Sequence, residues 1–319
     1  GLGLGAAQAS TVEPPFTSFV VFGDSLSDPG NLFAATSADP GLPPTPASPP
    51  YFEGRFSNGP VWAETVDDNF GVTANFAFGG AQAASDDDGV PDFADQIDLF
   101  RASPVSGALG DRPLASIWLG ANDLFGAFGK VAEEGILAPV TGPLIIGEAL
   151  LDAGTGLSEG VGELRAAGIE DFLFFNLPDL GATPAFADLG VLATAPTDTF
   201  NFGLDLFLAG PDLADANVTL IDINALFDDL IANPADFGVS DVTTPCVIPD
   251  LGIACTPENA LERAFFDPVH PNSIVHAAIA SEVEDALGLA PAPVPLPAGL
   301  PLLLVGLGAL GLLRRRVAV

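Results

Sequence analysis

Five short runs rich in β-branched and aromatic residues punctuate the chain, at 18–22, 73–78, 115–119, 171–175 and 218–221. Between and after them lie stretches of helical composition at 61–70, 92–102, 148–167, 198–208, 224–232 and 273–287. This alternation allows few folds. Strands separated by helices pair in parallel, and the right-handed crossovers place helices on both faces of one sheet. The expectation is an α/β fold with a five-stranded parallel sheet. No linker between the two ends is long enough to split the chain, and the Pro-rich run 40–50 reads as a surface loop. With 319 residues, 48% of them apolar, the chain can bury a substantial core.

Charge narrows the function classes. There are 42 acidic residues against 9 basic ones, a net charge of −33, and three of the nine are Arg314, Arg315 and Arg316. Such a surface repels phosphate backbones and excludes nucleic acid as a partner. It suits a salty medium, where screening relieves self-repulsion.

The two ends carry targeting signals. Ala7-Gln8-Ala9 fits the small-residue rule for signal-peptide cleavage, so residues 1–9 read as the residue of an export signal. A Pro-rich linker at 290–293 precedes Val294-Pro295-Leu296-Pro297-Ala298, an apolar stretch over 299–313 and the three arginines. Such a stretch approaches the length that crosses a bilayer, with arginines on the cytoplasmic side. The body, residues 10–289, is then expected outside the cytoplasm: periplasmic, at the cell surface or extracellular. There, Cys246 and Cys255 most simply form one disulfide. A metal site would need partners the two histidines do not supply, since both lie elsewhere.

The chemistry gathers at strand ends. Ser25 follows the apolar run Phe19-Val20-Val21-Phe22 and opens a turn, where α/β sheets place reactive groups. A serine at such a junction is ordinarily a helix cap, so its partners decide. A hydroxyl becomes a nucleophile only when a base takes its proton. The imidazoles are His270 and His276. His270 lies in a turn-rich loop three residues after Asp267, which can orient it. His276 falls on the following helix and reads as structural. An oxyanion needs donors. Asn122, in Gly120-Ala121-Asn122-Asp123, offers a side-chain amide, and Gly79-Gly80 lets a backbone N–H approach a ligand.

These fragments, in this order, resemble the GDSL-type serine hydrolases of the SGNH superfamily. Gly23-Asp24-Ser25-Leu26, Gly79-Gly80, Gly120-Ala121-Asn122-Asp123 and Asp267-Pro268-Val269-His270 match the four family blocks. Gly54-Arg55-Phe56-Ser57-Asn58-Gly59-Pro60-Val61-Trp62 is a further family-like stretch, and the likeness runs over roughly residues 17–288. One departure is Phe266, where a Trp often precedes the Asp. The resemblance implies a flavodoxin-like three-layer α/β/α sandwich and ester hydrolysis without metal or other cofactor. Carried over, Ser25 is the nucleophile, His270 the base and Asp267 its orienter. The Ser25 N–H, the Gly80 N–H and the Asn122 amide line the oxyanion hole, with Gly79 the alternative to Gly80. The tail is similar to PEP-CTERM sorting signals of the Val-Pro-Leu-Pro-Ala type, which implies a membrane-bound sorting protease as partner; a permanent anchor is the alternative. Expected substrates are small or lipid esters, with polysaccharide O-acetyl groups as the alternative and a non-catalytic surface or matrix protein as the contrasting class.

Two decoys need placing. Gly156-Leu157-Ser158-Glu159-Gly160 matches the G-x-S-x-G elbow, but the residues before it read as helix where the elbow needs a strand. The acidic run from Asp86 to Asp92 can be imagined around Ca²⁺, yet its spacing departs from the EF-hand pattern and it reads as a solvated loop.

Overall fold

A computed structural model describes residues 15–86, 88–248, 252–253, 255–256 and 259–289. The segments 1–9 and 290–319, with their targeting signals, lie outside the described residues. In chain order the elements are β1 (Ser18–Gly23), α1 (Asn31–Ala38), α2 (Trp62–Asp67), β2 (Thr73–Asn75), α3 (Phe93–Ala102) and β3 (Pro113–Trp118). There follow α4 (Ala121–Glu133), α5 (Ala138–Ala166), β4 (Asp171–Phe175), α6 (Val191–Leu208), β5 (Asn217–Ile221) and α7 (Ile223–Ala232). A small antiparallel pair, β6 (Val247–Ile248) with β7 (Gly252–Ile253), precedes α8 (Ser273–Leu287). Cys246 and Cys255 are joined by a disulfide across this pair.

The main sheet is parallel throughout, in the order β2-β1-β3-β4-β5. That is the doubly wound order of the flavodoxin-like type, in which the chain leaves β1 to one side and returns on the other. The crevice it opens lies beyond the C-terminal ends of β1 and β3, where Gly23 pairs with Trp118.

Alternate side chains of β1 reach opposite faces. Phe19 meets Trp62 of α2, while Phe22 meets Phe93 and Phe100 of α3 edge-on. On the first face Trp62 also packs on Trp118 and Phe175, which stack at 4.7 Å, and α2 packs on α8. On the second, Phe174 meets Phe207 of α6, and α5 packs against α3, α4 and α6. Helices therefore cover both sides, and β1, β3 and β4 are buried along their whole length. Strands buried on both faces lose the polar alternation of a half-exposed sheet, which is why they stand out as apolar runs.

Four expectations need correction, the simplest being that α6 begins at Val191 rather than 198. The second strand is Thr73–Asn75 rather than 73–78, because beyond Asn75 the chain turns into the site. Helix α4 was not anticipated: Gly126 and Gly129 weaken its intrinsic propensity, and packing of Leu124 and Ala127 against neighbours restores it. Helix α5 begins at Ala138 rather than 148, despite Pro143 inside it. There Gly142 lets the helix approach α4, since a Cβ would stand 3.2 Å from Val131. Tertiary contact overrides local preference in both cases.

Candidate active site

Residues from four separated segments meet at the C-terminal edge of the sheet. Strand β1 ends at Gly23, whose N–H donates to Gln96 Oε1 at 3.0 Å and whose carbonyl accepts from Gln96 Nε2 at 2.8 Å. This buried amide from α3 acts as a substitute strand partner and fixes where the next residues begin. The turn that follows is organised by Asp28. Its carboxylate, fully buried, accepts from the N–H groups of Gly30 (2.7 Å), Asn31 (2.5 Å), Leu32 (3.2 Å) and Gly79 (2.9 Å). Three of these are the free donors at the start of α1; the fourth ties the nucleophile loop to the Gly79-Gly80 turn. Burial pushes the Asp28 carboxyl above its ordinary value, and the four N–H donors oppose that rise.

Ser25, only 8% exposed, sits in this loop. The Asp267 carboxylate lies 2.6 Å from His270 Nδ1, and His270 Nε2 lies 2.7 Å from Ser25 Oγ. With Nδ1 protonated toward the carboxylate, Nε2 is left to accept the serine hydroxyl proton. The other oxygen of Asp267 accepts from the N–H groups of Val269 and His270 at 2.9 and 2.8 Å. His270 and these bonds together hold the Asp267 carboxyl below its ordinary value although burial works against them. A carboxylate, an imidazole and a hydroxyl in series can generate an alkoxide nucleophile.

The donors for a developing oxyanion are less uniform. Among the described residues, the N–H groups of Ser25 and Gly80 have no acceptor. The Gly79 N–H is taken by Asp28, which leaves Gly80 as the free donor of the pair. The two glycines are needed for different reasons. Gly80 has φ +93°, a left-handed backbone that disfavours a side chain, whereas a Cβ on Gly79 would collide with the edge of the Phe56 ring. Asn122 Nδ2 donates to the Ala81 carbonyl at 2.9 Å and, at a long 3.4 Å, to Asp24 Oδ2. Asp24 is itself buried, and desolvation pushes its carboxyl up to about 7. Its neighbour in sequence to the amide, Asp123, accepts from Ala83 and Ala84 N–H at 2.9 and 3.0 Å and so anchors the segment after Gly80.

The cavity beside Ser25 is small, about 30 Å³, and mostly apolar, with Phe125, Leu180, Phe227 and Trp118 among its walls. Asn122 and His270 line it too.

Other candidate residues lie apart or in different roles. Ser158 is inside α5 and donates to Asp212 Oδ2 at 3.2 Å, with no imidazole beside it. His276, on α8, accepts from the Trp62 N–H through Nδ1, and burial lowers it to about 3, so it stays neutral. In the acidic loop, residue 87 lies outside the described residues. Asp92 is buried rather than solvated: its two oxygens accept from the N–H groups of Gln82 and Asp86, both at 2.8 Å, and it caps α3. Among the described residues no group of three or more His, Cys, Asp or Glu side chains is arranged to hold a metal ion.

Sequence reasoning passed over Asp28, Gln96, Asp123 and Tyr51. For Asp28 a signal existed, since Asp two residues before Gly in a turn commonly takes nearby N–H groups. For Gln96 and Tyr51 none did, because their partners lie 73 and 216 residues away.

The model of the GDSL-like lipase/acylhydrolase family matches residues 19–283. The chain belongs to the GDSL lipase/acylhydrolase family. It is thereby a carboxylic-ester hydrolase of the serine type. It is 32% identical over 257 residues to a phosphatidylcholine-sterol acyltransferase of Aeromonas hydrophila, an alignment covering 75% of this chain and 68% of that one. It is 26% identical over 281 residues to a thermolabile hemolysin of Vibrio parahaemolyticus, covering 83% of this chain and 62% of the other. Among solved structures, a catalytic mutant of an acetylxylan esterase from Geobacillus stearothermophilus superposes with a TM-score of 0.46 at 14% identity, over 88% of this chain and 97% of that one.

Proposed function

We propose that this GDSL family member hydrolyses carboxylic esters through an acyl-enzyme on Ser25. The reading rests on one observation above others: the continuous chain from Asp267 through His270 to Ser25 Oγ, at 2.6 and 2.7 Å. As Ser25 Oγ attacks the ester carbonyl, its proton passes to His270 Nε2. The carbonyl oxygen gains negative charge and is met by the Ser25 and Gly80 N–H groups and by Asn122. The long Asn122–Asp24 bond is the one the oxyanion replaces, while the bond to Ala81 keeps the amide in place. The tetrahedral intermediate collapses, the alcohol leaves with the proton from His270, and water repeats the sequence to release the acid.

For the ester itself, two observations pull apart. A phospholipid-linked relative favours lipid esters. The small apolar cavity beside Ser25 favours a short acyl group, including the acetyl groups of polysaccharide. A chain-length series of p-nitrophenyl esters beside an acetylated sugar separates them: a maximum at acetate with sugar deacetylation supports the second, a rise with chain length the first.

The site is proposed to work outside the cytoplasm. Supporting this are the Ala7-Gln8-Ala9 signal and the Val294-Pro295-Leu296-Pro297-Ala298 tail with its apolar stretch and arginines, which a membrane-bound protease would recognise and remove. The Cys246–Cys255 disulfide fits an oxidising compartment. Among the described residues no helix is long and apolar enough to cross a membrane. The intact mass of the protein recovered from its native host reads both processing steps; a full-length cytoplasmic product would contradict them.

A further inference from the structure

The segment 51–58 touches the loop that carries the base through Tyr51, Phe56 and Ser57, and the start of α8 through Asn58. The Tyr51 hydroxyl donates to Asp267 Oδ2 at 2.7 Å. The Phe56 ring packs on the His270 ring at 5.0 Å. The Ser57 hydroxyl donates to the Pro271 carbonyl at 3.0 Å, and the Asn58 side-chain oxygen accepts from the Ser273 N–H at 2.8 Å. Phe56 also lies against Gly79, so one ring touches both the base and the turn that carries the Gly80 donor.

Within this strap Tyr51 has a particular place. The oxygen that takes its hydroxyl proton is the same Oδ2 that accepts from His270 Nδ1. Together with the two backbone N–H groups on Oδ1, this gives the carboxylate two donors on each oxygen, so its orientation is fixed from both sides. The phenol ring is gripped edge-on by Phe266, at 5.2 Å, and by Phe56, at 6.1 Å. Residue 51 is also the chain's single tyrosine.

We propose that Tyr51 is a positioning residue for the base: its hydroxyl holds the Asp267 carboxylate in the orientation that meets His270 Nδ1, and shares the negative charge that would otherwise fall wholly on the imidazole. The role of Tyr51 in catalysis rests on the hydrolase reading; the contact itself does not. Removing the hydroxyl frees the carboxylate to bind the imidazolium more strongly, so the base becomes harder to deprotonate. The other titratable groups facing His270 are Asp24, from the nucleophile loop, and His276, from α8. Burial sets these at about 7 and about 3, so only Asp24 titrates near the working range.

Two measurements on the full chain test this. In Tyr51→Phe the ring contacts remain and only the hydroxyl is lost. The expected result is a fall in kcat of roughly tenfold with KM little changed. The acid limb of the pH–rate profile should move to higher pH by roughly half a unit. The same upward move should appear when Tyr51→Phe is made in an Asp24→Asn background, where the Asp24 titration is gone. An unchanged acid limb together with an unchanged kcat would overturn the proposal. The second measurement needs no turnover. In Ser25→Ala protein, phenolate absorbance reports Tyr51 alone. Burial and the Asp267 charge should keep it from ionising well past pH 10. Adding Asp267→Asn should lower the ionisation by removing the charge and its hydrogen bond, while burial still holds it above the ordinary phenol value. Ionisation near 10 in both proteins would show that the contact is absent, whatever the enzyme does.

Discussion

The two loops that bring Ser25 and His270 together are held by different means. On the nucleophile side, buried carboxylates take backbone N–H groups: Asp28 takes four and Asp123 two, and Asp24 takes the N–H of Leu26. On the base side, Asp267 takes two N–H groups of its own loop, and backbone bonds from Val247 and Ala185 hold the Phe266 and Pro268 carbonyls. The strap at 51–58 adds side-chain contact to Asp267, His270 and Pro271. Bonds from a carboxylate to several N–H groups fix a backbone path, which suits donors that must not move as the oxyanion forms. Side-chain contact from the strap acts on the catalytic groups themselves, which suits an imidazole that changes charge twice in each cycle. The nucleophile side is built for placement, the base side for adjustment.

That contrast can be pressed from several directions. The largest effect is expected at the nucleophile itself, where Ser25→Ala should lower kcat by about 10⁴-fold or more while leaving the fold intact, as seen by an unchanged thermal midpoint. Next, Asp28→Ala strands four N–H groups at once and should cost about 3 kcal/mol of unfolding free energy, measured by denaturant titration. A cost under ~1 kcal/mol would show that the loop does not depend on this carboxylate. On the base side, Ser57→Ala removes one neutral bond to the Pro271 carbonyl and should cost about 1 kcal/mol. Equal losses in the two variants would erase the distinction drawn between the loops.

A pH effect on stability follows from the buried acids. Burial pushes Asp24 and Asp67 up to about 7 and Asp92 up to about 6. Between roughly pH 4 and 7 the folded chain then holds more protons than the unfolded one, so stability falls as pH rises through that window. Two groups work in the opposite sense. Asp267, held low, loses its contribution only in more acid solution. His276, lowered to about 3, favours stability as pH rises to about 6.5, one imidazole against the three acids. The thermal midpoint should therefore decline from about pH 4.5 to pH 7.5. The decline should persist in 1 M salt, which screens the surface repulsion of a chain at −33 but not the burial of these groups. A flat profile in high salt would contradict it.

How much of this was legible in the sequence depends on how far apart the interacting residues lie. Strands β1, β3 and β4 were readable because burial on both faces leaves an unbroken apolar run. Helices α4 and α5 were partly hidden because their glycines and Pro143 make sense only against each other. Ser25, Asp267, His270, Gly80 and Asn122 stood out as fragments at strand ends, and Asp267 with His270 is a local pair. Gly80 was preferred to Gly79 from the resemblance alone, and the physical difference between them, Asp28 taking the Gly79 N–H across 51 residues, was out of reach of local reading. Tyr51 was hidden for the same reason, directly after a Pro-rich run that read as surface loop. Local order is written in neighbouring residues, while the supports of a site come from wherever the fold delivers them.

The central claim is that Ser25, activated by His270, is the residue that forms the covalent intermediate. Treating the folded protein with a fluorophosphonate probe and reading the labelled peptide by mass spectrometry tests it directly. The account predicts one label per chain on Ser25, none in Ser25→Ala, and unchanged labelling in Ser158→Ala. Label on Ser158, or labelling that survives Ser25→Ala, would contradict it.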